Sequence, residues 1–319
     1  MPKTFAWFEG RKRPPSEYEE LTVGLHFGEE PLVHTDLGTW DLDNTKLTGV
    51  AWEDFRDPSQ LHYRSWVTLQ DRAERELSST FDLAQNAGFI EALDPGWRQP
   101  LAAMTGGLAF AEWGVAMAMQ YVERFCLSSS VAQSAQLQVC DELRHAQRAL
   151  EWSDLLRAST TAEGDDDPAR AAWMADPALQ PLRKAVEVAL TVTDWGEVIV
   201  AVNLCLEGLL QPFQRELYLG GGRAQRDMTT AMFGRHCWVD EDRHLTWTEG
   251  VLRLATEANP ANTPVIQGWC DTHLPVAAAA VDAIAAGFPF DGQAEAAARS
   301  AHRELAKRFE ALGLSTRTE

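Results

Sequence analysis

Two pentapeptides hold the residues with the most chemical potential: Asp141-Glu142-Leu143-Arg144-His145 and, 99 residues later, Asp240-Glu241-Asp242-Arg243-His244. Residues three apart on a helix share a face, so Glu142 with His145 can reach one metal ion, and Glu241 with His244 a second. Such sites need one further carboxylate per half. Two acids set in otherwise apolar stretches supply it: Glu112 lies 30 residues before Glu142, and Glu207 lies 34 before Glu241. At a rise of about 1.5 Å per residue, that separation carries a chain along one helix, round a loop and back to the same depth.

Four carboxylates and two imidazoles at one level of a four-helix bundle are the di-iron carboxylate arrangement, with a Glu from each of two helices and a Glu-x-x-His from each of the others. Carboxylate and imidazole suit iron or manganese, and glutamate can shift between terminal and bridging modes. The repeated aspartates and arginines have a supporting role. Asp141 and Asp240 are placed to take the free ring N–H of the opposite pentapeptide's imidazole, and Arg144 and Arg243 to hold those aspartates. One Glu-x-x-His arises by chance about once in a chain of this size, whereas two full pentapeptides with matched upstream acids do not. The same six residues can also persist without metal, as a buried network of ion pairs and hydrogen bonds.

The elements that must position these residues read as helices. Leu61 to Leu93 has Trp66, Leu69, Leu77 and Phe81 at helical spacing, and Pro95-Gly96 marks a turn. Pro100 to Phe125 is apolar nearly all round, which predicts a central helix. Val131 to Ala158 carries the first pentapeptide, and residues 159–181 predict a solvated connection. Leu182 to Leu219 predicts one long apolar helix with a kink or wide turn at Gly208 and Pro212, ended by Gly220-Gly221-Gly222. Arg223 to Thr256 carries the second pentapeptide. Shorter pieces follow, with breaks at Pro275 and Gly287-Phe288-Pro289 and a polar tail from Arg299. No useful strand alternation is present. The expected fold is all-α: a ferritin-like four-helix bundle over residues 61–258, flanking C-terminal helices over 259–319, and an extended N-terminal arm over 1–60. The arm holds Phe5, Trp7, Phe8, Tyr18, Phe27, Trp40 and Trp52, too many aromatics for a solvated tail, so it should lie on the body or on a partner subunit.

Composition narrows the functional classes. A net charge of −19 argues against nucleic acid and against an anionic membrane surface. Neither an apolar stretch of transmembrane length nor a signal peptide is read, which predicts a cytoplasmic protein. Five cysteines, with no CxxC among them, fit reduced thiols filling helix interfaces rather than a disulfide frame.

The chain resembles the hydroxylase components of bacterial multicomponent di-iron monooxygenases, which oxidise toluenes, phenols, alkenes, propane and methane. The resemblance spans nearly the whole chain and points to the β (small) subunit. It rests on Arg13-Pro14-Pro15-Ser16-Glu17-Tyr18, on Phe55-Arg56-Asp57-Pro58-Ser59-Gln60-Leu61 with Tyr63-Arg64, on Asp194-Trp195-Gly196-Glu197 with Asn203-Leu204, and on Val265-Ile266-Gln267-Gly268-Trp269. It implies a catalytic α subunit as partner, a reductase or ferredoxin that brings electrons from NADH, a small regulatory protein, and a di-iron (Fe2+/Fe3+) cofactor. β subunits have typically lost the iron ligands, whereas this chain keeps Glu112, Glu142, His145, Glu207, Glu241 and His244 at the spacing of a catalytic α subunit. Where α subunits usually carry a threonine one turn after the third-helix glutamate, this chain has Gln211 beside Pro212. Two functions follow from the resemblance: a β subunit bracing α, or a chain whose own iron pair activates O2 and inserts one oxygen atom into a C–H or C=C bond. Phe110, Trp113 and Leu204 could line a substrate pocket, although aromatic and aliphatic groups at such positions more often form bundle core.

Overall fold

A computed structural model describes residues 14–23, 25, 44–126, 128–158, 167–288 and 290–316. Among these the chain is helical, with no strand, and has the ferritin-like all-α fold. The helices are α1 (Glu17–Thr22), α2 (Tyr63–Asn86), α3 (Pro95–Phe125), α4 (Ser129–Ala158), α5 (Pro168–Ala175), α6 (Gln180–Ala189), α7 (Trp195–Ala224), α8 (Met228–Ala258), α9 (Asn262–Gly287) and α10 (Gln293–Ala311). The metal-motif residues lie on α3, α4, α7 and α8.

Several boundaries depart from the sequence expectations, each for a local reason. Pro95-Gly96 opens α3 rather than turning away from it, because Asp94 caps the helix by accepting from the Gly96 amide at 2.7 Å and proline fits the first helical position. The connection at 159–181 contains a helix, α5, and the start of α6: Asp167 caps α5, and Trp173 is buried, stacked on Phe110 at 5.9 Å. Asp165 and Asp166 lie outside the described residues. The long helix expected from Leu182 is split, since Asp194 accepts from the Gly196 and Glu197 amides and starts α7 afresh. Pro212 does not break α7. Gly208–Glu216 is α-helical, so the expected kink or wide turn at Gly208 and Pro212 is absent, and the π-helical stretches lie to either side, at Val200–Glu207 and Leu217–Gly221. The glycine run does not end α7 either. A Cβ on Gly221 would lie 2.8 Å from the Trp97 ring, and one on Gly222 2.7 Å from the Asp227 carbonyl, so these glycines permit close packing. α9 runs through Pro275 unbroken, and the expected polar tail is α10, which buries Ala297, Ala301, Leu305 and Phe309 at helical spacing against α7.

Two helices, Pro95–Phe125 and Trp195–Ala224, are long and apolar enough to cross a membrane by length and composition, contrary to the sequence reading. Their most apolar stretches are 78% and 94% buried inside the protein, and each carries one of the upstream acids. They are core helices of the bundle. α3 packs most extensively on α4, and its glycines let α6 approach: a Cβ on Gly114 would sit 2.2 Å from Cγ1 of Val186, a β-branched side chain with one favoured rotamer. Gly114→Ala is therefore expected to destabilise the fold by about 1–2 kcal/mol, since so short a contact puts the overpacking cost in the upper half of about 1–3 kcal/mol, against a helix-propensity gain of about 1. A urea midpoint equal to or above that of the parent would contradict this packing.

The described part of the arm lies on the body. Ser16 caps α1 in a reciprocal box with Glu19; Tyr18 is buried, and its hydroxyl accepts from the Asp57 amide at 3.0 Å. Asn44 donates to the Phe125 carbonyl and accepts from Trp195, while Trp52 meets Trp195 edge-on at 4.7 Å. Phe5, Trp7, Phe8, Phe27 and Trp40 lie outside the described residues.

Candidate metal centre

All six motif acids and imidazoles are buried, none more than 6% exposed. Donor atoms of Glu112, Glu142 and His145 lie within 4.8 Å of one another, a grouping able to hold a metal ion. His145 Nδ1 is 3.6 Å from Glu142 Oε2 and 3.9 Å from Glu112 Oε2. His244 Nδ1 approaches the other oxygen of Glu142, Oε1, at 3.3 Å, so Glu142 lies between the two imidazoles. Glu207 and Glu241 stand on the same side as electrostatic neighbours of Glu142 but outside the 4.8 Å group.

The supporting layer is crossed between the halves. His145 Nε2 faces Asp240 Oδ2 at 3.4 Å, and His244 Nε2 faces Asp141 Oδ2 at 3.2 Å. Arg144 donates to both aspartates at 3.0 and 3.1 Å, and Arg243 likewise donates to both. With each Nε2 facing an aspartate, each Nδ1 faces the glutamates, the position from which a neutral ring would bind metal. Trp66 and Gln70, on α2, belong to this layer although the sequence reading placed neither there. The Gln70 amide donates to Asp141 at 2.9 Å and to Asp240 at 2.7 Å, and the Trp66 indole donates to Asp141 at 3.0 Å. Their available signal was a polar glutamine one turn from a tryptophan on an apolar face.

A second missed layer lies one turn away along the helices. Gln138 and Asn203, each four residues before a motif glutamate, exchange reciprocal amide hydrogen bonds at 2.8 and 2.9 Å. Gln138 also donates to Glu142, and Asn203 to Thr248. Gln211 donates to Glu207 at 2.6 Å. Of the residues weighed as pocket lining or core, none borders the cavity beside the acids: Phe110 packs on Trp173, and Trp113 is 56% exposed. Leu204 is buried core. The five cysteines are free thiols, four of them buried.

Charge is the main constraint on this site. Burial first, then the Glu142 and Glu241 charges, push Glu207 up to about 8, and burial lifts Glu241 to about 7. Burial and the Glu142 carboxylate raise Glu112 well above the usual range. Burial opposes ionisation of Glu142 as well, but the His145 and His244 imidazoles beside it outweigh burial and hold that carboxyl well below its ordinary value. For His244 burial opposes the charge, yet Asp141 and Glu142 raise it to about 9. Four carboxylates so close in a low-dielectric interior ionise together only with compensating cations, either protons or metal. Three buried atoms at the centre, Glu142 Oε2, His145 Nδ1 and His244 Nδ1, have no hydrogen-bond partner. Buried polar atoms are rarely left this way, and these are the atoms that metal coordination would satisfy.

Outside the centre, Glu74 ties α2 to Arg144, Arg148 and His236. Burial raises its pKa, but the His236 hydrogen bond and the two guanidinium charges outweigh it and hold it at about 2. A depressed carboxylate stabilises the fold above the unfolded value of about 4.3, and that contribution is lost as pH falls from there toward 2. Glu74→Gln is expected to remove about 1–2 kcal/mol at pH 6, discounted for partial solvent exposure, and almost nothing near pH 2. Urea titrations of both proteins at several pH values check this; a pH-independent difference would contradict it.

With the geometry in place, comparison with known proteins identifies the lineage. A model of the methane/phenol/alkene hydroxylase family matches residues 34–259. The β subunit of the hydroxylase component of the toluene-4-monooxygenase system of Ectopseudomonas mendocina is 25% identical over 300 residues, covering 88% of this chain and 89% of that one. The oxygenase component DmpL of the phenol 2-monooxygenase of Pseudomonas sp. (strain CF600) is 26% identical over 316 residues, covering 96% and 92%. A chain in the structure of toluene 4-monooxygenase with toluene bound in its resting active site superposes with a TM-score of 0.81 at 25% identity, covering 86% of this chain and 94% of that one. A match across most of the helical body, together with near end-to-end relatives, makes this chain a member of the methane/phenol/alkene hydroxylase family.

Proposed function

We propose that this chain is the β subunit of the hydroxylase component of a soluble, NADH-dependent di-iron monooxygenase acting on small hydrocarbons, where it braces a catalytic α subunit. The near end-to-end match to a hydroxylase β subunit carries this reading. α3 also presents Trp113 and Met117, one turn apart and 56% and 45% exposed, as apolar surface for a partner. A separate reductase or ferredoxin and a small regulatory protein complete the system. Co-expression with the neighbouring oxygenase genes should yield a complex with a larger subunit, and the chain alone should self-associate. A well-behaved, active monomer would overturn the assignment.

A second reading, that the chain binds its own metal pair, is favoured by the unpartnered buried atoms of Glu142, His145 and His244. Glu112, Glu142 and His145 would hold one ion, and Glu207, Glu241 and His244 the other. An iron pair so held supplies redox equivalents for O2 chemistry. The protein's own part is orientation: Asp141 and Asp240 fix the imidazole tautomers, Gln70 ties the two aspartates together, and Gln211 holds Glu207.

A further inference from the structure

The cavity bordering the candidate metal centre is far smaller than the aromatic compounds named for the toluene and phenol monooxygenase relatives. It measures about 10 Å³ and is lined on one side by Glu112, His145 and Glu241, and on the other by Leu108, Tyr218 and Phe233. That volume accommodates about one water molecule, whereas an apolar cavity that takes up benzene measures about 150 Å³. The difference is more than tenfold.

What fills the space is fixed packing. Tyr218 sits in the second π-helical stretch of α7 and is 3% exposed, with its hydroxyl 3.5 Å from the Thr105 hydroxyl. Gly234 on α8 lets it in, because a Cβ there would lie 2.6 Å from the Tyr218 Cβ. Phe233, 2% exposed, is wedged between Tyr218 at 5.6 Å and Phe81 at 6.4 Å. Phe81 in turn stacks on Trp152 at 5.1 Å, whose indole is anchored to Thr230. Rings interlocked across α2, α4, α7 and α8 do not swing aside without unpacking the core. The lining also includes the polar Gln214 and Arg215, the latter a quarter exposed and paired with Glu304.

We propose that this centre takes an exogenous ligand of water size, and that Tyr218 and Phe233 exclude aromatic hydrocarbons from it. This rests on the reading that the cluster binds metal. In the assembled hydroxylase, oxidation of aromatic hydrocarbons then belongs to another site.

The test is anomalous diffraction from crystals of the full chain, alone or in its complex, loaded with Co(II) and then soaked separately in fluoride and in bromobenzene. The expected result is cobalt at the Glu/His cluster, single-atom density on it in the cavity, and no bromine peak there. Phe233→Ala should gain a bromine peak beside the cobalt, and Phe233→Leu serves if the alanine variant does not fold. Bromine beside cobalt in the parent protein overturns the proposal while leaving metal binding intact. So does cobalt without a single-atom ligand, and a variant that folds yet stays closed overturns the role given to Phe233. Absence of cobalt from the cluster overturns the metal reading and the proposal together.

Discussion

Asp141→Ala is expected to destabilise the protein by about 3–5 kcal/mol, the cost of breaking a buried charge network by removing one partner. Asp141 is fully buried and accepts from the Trp66 indole, the Gln70 amide, Arg144 and Arg243, while facing His244 at 3.2 Å. Without it, a nearly buried guanidinium, an indole and an imidazole each lose a partner, and buried donors left unmade cost about 1–3 kcal/mol each. Asp240 still holds both arginines, which places the loss toward the lower end of that range. Asp141→Asn keeps an acceptor oxygen and should fall between alanine and the parent. Urea unfolding checks the order; a change within about 0.5 kcal/mol, typical of an ordinary surface position, would contradict the network.

Glu142→Ala is the second large effect, and it concerns metal rather than stability. Glu142 approaches both imidazoles, His145 at 3.6 Å and His244 at 3.3 Å, with one oxygen turned toward each. Its removal takes away the carboxylate shared between the halves. Metal affinity should fall by more than the roughly 10–100-fold that loss of a supporting residue costs. Glu142→Gln preserves shape and isolates the charge. Metal content after dialysis distinguishes the outcomes, and a Glu142→Ala protein that retains its metal would show that the ligands are elsewhere.

The helices carrying the six residues were legible in the sequence because helical period and hairpin length fix where Glu112, Glu142, Glu207 and Glu241 must lie. The crossed contacts, His145 with Asp240 and His244 with Asp141, follow from the repeat itself. Gln70 was not legible, since its partners lie 71 and 170 residues away and no local pattern encodes that approach. Trp113 was misplaced for a related reason: α3 is apolar nearly all round, so its sequence does not reveal which face meets solvent. Pro275 and the tail after Arg299 were read by local propensity, which packing of α9 and α10 on the body overrode. The closure of the cavity is likewise tertiary, set by Gly234 admitting Tyr218 from another helix.

Metal analysis of the purified chain after anaerobic Fe(II) loading tests the central claim most directly. The account predicts about two irons per chain, one for each Glu-x-x-His half, and their loss in Glu142→Ala. A chain that holds no iron after such loading would contradict it, leaving Glu112, Glu142, His145, Glu207, Glu241 and His244 as a buried polar network within a bracing subunit.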